Sequence, residues 1–282
     1  MKPDRYIALP GRAVISISGA DAKPFLQGLV TNDVDLVAPD RAIYAALLTP
    51  QGKFLHDFFI AELDGRLLLD CAAARIADLL KRLKMYRLRA KAEIADESAE
   101  WGLWALLPGG GTAGSAGARR GGIVFTDPRH AALGHRAIMP AGTDMSESGL
   151  KEGAFEDYEA LRIGLGVPAS DSDLIAEKSL LLEYGFDELH GVSFEKGCYV
   201  GQEVTARMKH RDLVKKRLFP VALEGPVAPG TAVMAGPVEA GEIRSVLDGR
   251  ATALLRLDLA DRDDLAAGGV PVRPHRPDWA SF

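Results

Sequence analysis

Between Ala42 and Asp70 the sequence alternates apolar runs with turn residues, at intervals too short to hold a crossover helix. Ala42–Leu48 is an apolar run, Thr49-Pro50-Gln51-Gly52-Lys53 a turn, Phe54–Leu63 a second run, Asp64-Gly65-Arg66 a second turn and Leu67–Asp70 a third run. Parallel neighbours need a connection of about a dozen residues, whereas short turns rich in Gly, Pro and Asp join antiparallel strands. The stretch therefore predicts a β-meander of antiparallel hairpins. Ahead of it, Arg12–Ser18 reads as a strand. Asp21 follows as the N-cap of a helix with Pro24 in its first turn, Phe25, Leu26 and Leu29 on its apolar face, and Thr31-Asn32-Asp33-Val34 at its end. Those small polar residues suit either a helix stop or a ligand contact.

Downstream, Ile76, Leu79, Leu80 and Leu83 fall at i, i+3, i+4 and i+7, which predicts an amphipathic helix over residues 72–85. Met85–Arg89 then leads into a strand through Ile94. Trp101–Leu107, Gly122–Phe125 and Gly134–Met139 read as strands. Residues 152–165 read as a helix stopped by Gly164, Gly166 and Pro168. From 214 to 282 the texture changes: Gly and Pro are frequent, Leu218–Leu223 and Ala251–Leu257 are short β-like runs, and helical periodicity is missing. That pattern predicts a small β-barrel. The expectation is an α+β fold in two regions, 1–213 (with room for two intertwined subdomains) and 214–282.

Several functional classes are excluded by composition and motif. Formal charge is −5 over 282 residues, and aromatics are not interleaved with basic residues, so nucleic acid is not expected as a partner. No apolar run reaches the ~18 residues that span a bilayer, and Met1-Lys2-Pro3-Asp4-Arg5 leads into no apolar h-region of a secretory signal. Two distant cysteines form no disulfide framework and suit a reducing compartment. A cytoplasmic, soluble chain without a membrane partner is the expectation. The glycines at 109, 111 and 114 formally make G-x-G-x-x-G, but Pro108 precedes them and no β-α-β unit encloses them, so they read as a flexible loop. C-x-x-C, H-x-x-x-H, G-x-S-x-G and Walker spacings are missing, and no stably bound metal is expected.

The candidate site is Gly191–Arg207, which packs Lys196, Gly197, Cys198, Tyr199, Gly201, Gln202 and Glu203 together. The glycines loosen the backbone around the thiol, and cationic neighbours favour the reactive thiolate. A helix from Val200 onward would put Cys198 near its N-terminus, with the same effect. A small buried Cys in a tight turn is the alternative. Cys71, in apolar company at a strand-to-helix junction, reads as structural. His56 and Asp57 sit mid-strand, and alternation turns one of them inward, where it can meet a ligand or a core partner. Between 196 and 217, seven basic residues (Lys196, Arg207, Lys209, Arg211, Lys215, Lys216, Arg217) face two acidic ones (Glu203, Asp212), a local +5 in a chain of −5. Carboxylates, phosphates or an acidic partner suit it, as does a solvated face.

Lys196-Gly197-Cys198-Tyr199-Val200-Gly201-Gln202-Glu203 resembles the signature of the YgfZ family, relatives of the glycine-cleavage T-protein that share its folate-binding fold. The resemblance extends through Thr205-Ala206-Arg207, Lys216–Val221, Phe25–Asp33, Leu48–Lys53 and Asp157–Arg162, and it is nearest the mitochondrial branch, which suits an alphaproteobacterial source. It implies a GcvT-like folate-binding fold followed by a β-barrel, tetrahydrofolate as ligand, and a role in assembly or repair of [4Fe–4S] proteins alongside an A-type carrier or client proteins. Cys198 and Lys196 match the motif positions expected to act. Asp33, His56, Gln202, Glu203 and Arg207 have the chemistry of a folate pocket, a carboxylate or amide for the pterin nitrogens and a cation for the glutamate tail. The T-protein's aminomethyl transfer is the alternative activity; it relies on an Asp that neither Asp70 nor Asp78 matches cleanly.

Overall fold

The computed structural model describes residues 2–282. The chain divides into two compact units. The first takes the residues up to Pro50, Leu55–Phe155 and His190–Gln202; the second takes Gln51–Phe54, Glu156–Leu189 and Glu203–Phe282.

The first unit opens with β1 (Arg5–Ala8), β2 (Arg12–Ser18) and the short helix α1 (Ala22–Gln27). The expected meander follows as β3 (Ile43–Leu48), β4 (Phe54–Leu63) and β5 (Arg66–Ala72). Helix α2 (Ile76–Arg87), entered through a 3-10 turn at Ala73–Arg75, leads to β6 (Glu93–Asp96). A five-stranded sheet results, in the order β3-β4-β5-β2-β6. No Gly or Pro interrupts residues 74–91, so α2 outruns the expected end and takes in Arg87 before Leu88 breaks it at φ 44°. Nearly every residue of β4 is buried, as an apolar run without alternation requires when a strand is covered on both faces. On one face Phe58 and Ile60 join Leu26 of α1 and Leu79 and Leu83 of α2 in a single core.

A second, six-stranded sheet is built from β1, β7 (Trp101–Leu107), β8 (Ala116–Arg119), β9 (Gly122–Thr126), β10 (His135–Pro140) and β11 (Lys151–Glu152), in the order β11-β1-β7-β10-β9-β8. Of the glycine-rich stretch 109–117, expected as a loop, residues 109–115 are one and Ala116 and Gly117 belong to β8. The two sheets meet through Phe59 of β4, whose ring lies 5.2 Å from Tyr44 and 6.0 Å from Phe125 of β9.

In the second unit, α3 (Phe155–Gly164) and α4 (Gln202–His210) precede β12 (Lys216–Leu223), β13 (Ala232–Ala235), β14 (Val238–Leu247), β15 (Arg250–Arg256), β16 (Leu265–Ala267) and β17 (Val270–Pro274). These six strands close a barrel, β12-β15-β14-β13-β16-β17, around Phe219, Val233, Ile243, Leu255 and their neighbours. The barrel begins where the sequence texture changes. The segment ahead of it, 156–189, clusters with the barrel. Arg162 and Asp173 explain part of that: Arg162 Nη1 donates to Asp173 Oδ2 at 2.8 Å, and Asp173 accepts from Ser245 and Thr252 of the barrel strands.

Candidate functional site

Helix α1 has six residues, and its last carbonyls have no intrahelical partner. Lys196 supplies one. Its Nζ donates to the carbonyls of Gln27 and Val30 at 2.8 Å and of Asn32 at 2.7 Å. The ammonium is spent on three acceptors and only 8% of the residue is exposed. Burial pushes it down to about 8, against Asp33 and Asp35, which hold it up. The polar trio at 31–33 completes the clasp. Thr31 Oγ1 donates to Gly191 O at 2.6 Å, Asn32 Nδ2 donates to His190 O and Tyr44 O at 2.8 Å, and Ser193 N donates to Thr31 O at 3.0 Å. Asp33 accepts from Gln27 Nε2 at 2.7 Å.

Beyond Lys196 the loop turns outward. Gly197 and Cys198 are exposed; Tyr199 is buried again, its ring 5.3 Å from the Lys196 ammonium, and Val200 packs on the α1–α2 core. Gln202 Oε1 accepts from Tyr199 N at 3.3 Å. Cys198 thus stands on a short exposed tip pinned on both sides. Gly201, at φ 83°, delays α4 to Gln202, so the helix expected from Val200 starts two residues later and its dipole is a turn removed from the thiol. Cys71, by contrast, is buried on β5, and burial pushes its thiol up to about 12.

His56 and Asp57 take opposite faces of β4. His56 points to α2, where Nε2 lies 2.8 Å from Asp78 Oδ2, and Arg82 holds the same oxygen at 2.9 Å. Burial pushes the imidazole down to about 4, so at neutral pH it is uncharged and donates to Asp78. His56 is therefore engaged on the helical face, away from Asp57. Asp57 faces the other sheet, in a buried polar layer. Tyr44 Oη donates to its Oδ2 at 2.6 Å, while Oδ1 is buried without a hydrogen-bond partner among the described residues. Around it, Arg129 pairs with Asp127 at 2.8 Å and stacks 4.9 Å from the Phe59 ring. Arg12 and Arg136 each hold Asp70 at 2.6 Å; burial pushes that carboxyl up, but the two guanidinium groups prevail and hold it below the usual range. Sequence reading weighed the His56-Asp57 pair and chose His56. Alternation alone could not say which face the second sheet covers.

Gln202 opens α4, and Glu203 and Arg207, one helical turn apart and both exposed, belong to the second unit. The basic run is partly structural there: Lys209 pairs with Asp187 at 2.8 Å, and Arg217 holds Leu182 O at 2.6 Å and Glu188 at 3.0 Å. A cavity of about 510 Å³ opens on the six-stranded sheet, lined by Ser115, Thr126, His135, Met139, Met145 and others; none of the candidate residues lines it.

Comparison with known proteins gives a consistent picture. Residues 12–108 match the GCVT N-terminal domain, and residues 215–282 the CAF17 C-terminal beta-barrel domain. The iron–sulfur cluster assembly factor IBA57, mitochondrial, of Mus musculus is 37% identical over 88% of this chain and 76% of its own length. The Homo sapiens protein of the same name is 36% identical over 80% of this chain and 70% of its own. The crystal structure of the glycine cleavage system aminomethyltransferase T from Bartonella henselae superposes with a TM-score of 0.81 at 13% identity, covering 99% of this chain and 87% of that one. At that identity it shows the fold alone, which is GcvT-like with a closed C-terminal barrel. The relatives are mitochondrial by name, which overturns the cytoplasmic location expected from composition: amino-acid balance does not distinguish two reducing, aqueous compartments.

Proposed function

We propose a function from one premise: the chain belongs to the family of the iron–sulfur cluster assembly factor IBA57. It serves the assembly or repair of [4Fe–4S] proteins, and Cys198 is the group that meets the cluster. The observation carrying this reading is the contrast between the two thiols, one exposed on a pinned tip and one buried and pushed up to about 12. A [4Fe–4S] cluster is held by four thiolates. This chain offers one reachable sulfur, so an A-type carrier or the client itself supplies the rest. Lys196 positions the tip through three carbonyls and is not the reacting group.

Tetrahydrofolate is the proposed ligand, and Asp57 is the residue of this chain that best fits it. A buried carboxylate oxygen with no partner suits the paired N–H donors of a pterin ring. Tyr44 fixes the other oxygen and the Arg129–Phe59 stack walls the same layer. Asp33 and Gln202, beside the clasp in the first unit, remain candidates for the rest of the molecule. Bound tetrahydrofolate supplies a reduced pterin able to donate electrons or carry one carbon. The aminomethyltransferase alternative rests on fold alone, and Asp70 and Asp78 are both committed to arginines here.

Complementation tests the thiol. In cells lacking this protein, [4Fe–4S] enzyme activities are expected to recover with the wild-type chain and not with Cys198→Ala; full rescue by the Ala variant sinks the role given to Cys198. Titration of purified protein with tetrahydrofolate tests the ligand. Asp57→Asn is expected to weaken binding by about tenfold or more, while His56→Gln leaves it within about twofold.

A further inference from the structure

From Leu79 to Ala92 the sequence holds six basic residues (Lys81, Arg82, Lys84, Arg87, Arg89, Lys91) and no acidic one, a local +6 in a chain of −5. The structure puts this stretch on the second half of α2 and the turn beyond it. Arg82 is tied to Asp78 at 2.9 Å, but Lys81, Lys84, Arg89 and Lys91 make no ion pair among the described residues. Among these charges stand two uncovered apolar side chains, Met85 at 59% and Leu88 at 85% exposure. Leu88 is also held at φ 44°, ψ −107°, a backbone state costly for a side chain with a Cβ. Strain spent on exposing a leucine amid free cations marks a surface built to be covered. The other face of the helix is already used: Leu79 and Leu83 are buried in the core to which α1 and Val200, two residues after Cys198, also pack. The basic tip and the thiol loop are therefore carried by one helical layer.

We propose that the end of α2, with Lys81, Lys84, Arg89 and Lys91 around Met85 and Leu88, is the docking surface for the partner protein that completes the cluster's ligands, and that this partner presents a carboxylate-rich rim around a small apolar recess. The inference rests on the reading of Cys198 given above and adds where the partner is held. Charge complementarity selects an acidic protein: steering by four free cations speeds encounter, and two flexible apolar groups supply the anchor. A bilayer does not fit as well, because the apolar stripe of α2 is turned inward and leaves no face to lie in a membrane.

The test is calorimetric titration of the full chain with a cluster-loaded A-type carrier protein at about 50 and 200 mM salt. Wild-type affinity is expected to fall about tenfold across that range. The reversal K81E/K84E/R89E/K91E is expected to lose at least about tenfold at low salt and most of the salt dependence. Leu88→Gly is expected to weaken docking while raising the melting temperature, a pairing of effects that a merely structural leucine would not show. Cys198→Ser separates the two readings: it is expected to dock within about threefold of wild type yet show no cluster shared between the chains. A Cys198→Ser protein that still shares the cluster overturns the thiol reading and leaves the docking surface standing. Failure of the wild-type chain to bind the carrier, equal binding by the reversal variant, or charge-dependent binding of phosphatidylserine vesicles in place of the carrier overturns the docking surface.

Discussion

Lys196 stands two residues from the thiol, and from the sequence its charge reads as an influence on Cys198. Its three protons go instead to carbonyls 164 to 169 residues upstream, which no local pattern could reveal. The prediction belongs to that geometry. Lys196→Met keeps the stem but strands three buried acceptors, and is expected to cost roughly 3 kcal/mol or more in denaturant unfolding. Cys198→Ala removes an exposed side chain and is expected to leave stability within about 0.5 kcal/mol. A Lys196→Met protein as stable as wild type would refute the clasp. The thiol itself was legible, since a lone Cys among Gly, Lys and Gln is poor core material. The role of Thr31 and Asn32 was left open between turn and ligand contact; both prove to hold the returning chain.

At the scale of elements, β4 was legible to the residue because its apolar run is bounded by two turns. What the sequence could not supply was the cover on each face, and hence the division of labour between His56 and Asp57. His56 bears a consequence for pH. Its folded value, about 4, lies below the usual 6.5, so the unfolded chain takes up the proton first as pH falls. The native state thus loses up to about 3 kcal/mol from this group between pH 6.5 and 4, above the range where most carboxylates titrate. His56→Gln keeps a donor for Asp78 and is expected to flatten the decline over that window. An unchanged pH profile would mean that His56 is solvated. Helix α2 was legible in its period but not in its length, because nothing breaks it before Leu88. Its basic stretch read as a strand approach, with Arg87 and Arg89 open between an anionic ligand and a solvated strand face.

For the whole molecule, the barrel was visible as a change of texture near residue 214, and its strands begin at Lys216. The unit it belongs to was not visible, because what ties 156–189 to the barrel is a buried ion pair and its hydrogen bonds rather than any periodicity. Asp173 is fully buried against Arg162. Asp173→Ala leaves a guanidinium in the interior with only Glu159 to offset it, and is expected to cost about 3 kcal/mol. A loss below about 1 kcal/mol would argue against that role.

The clasp at Lys196 also sets an order in time. Its acceptors leave the ribosome with the first few dozen residues, and its donor follows 164 to 169 residues later. At about 5–20 residues per second that gap is on the order of 10–30 s. Only after Glu152 does the nascent chain hold every strand of both sheets of the first unit, and it still lacks the lysine that seats the thiol. An arrested or truncated product ending before residue 190 would therefore carry neither Cys198 nor the lysine that seats it, whereas a chain that extends through Gln202 carries both. The tip thus marks completion of the first unit, whose last residues are His190–Gln202, while the barrel strands from Lys216 onward are still to follow.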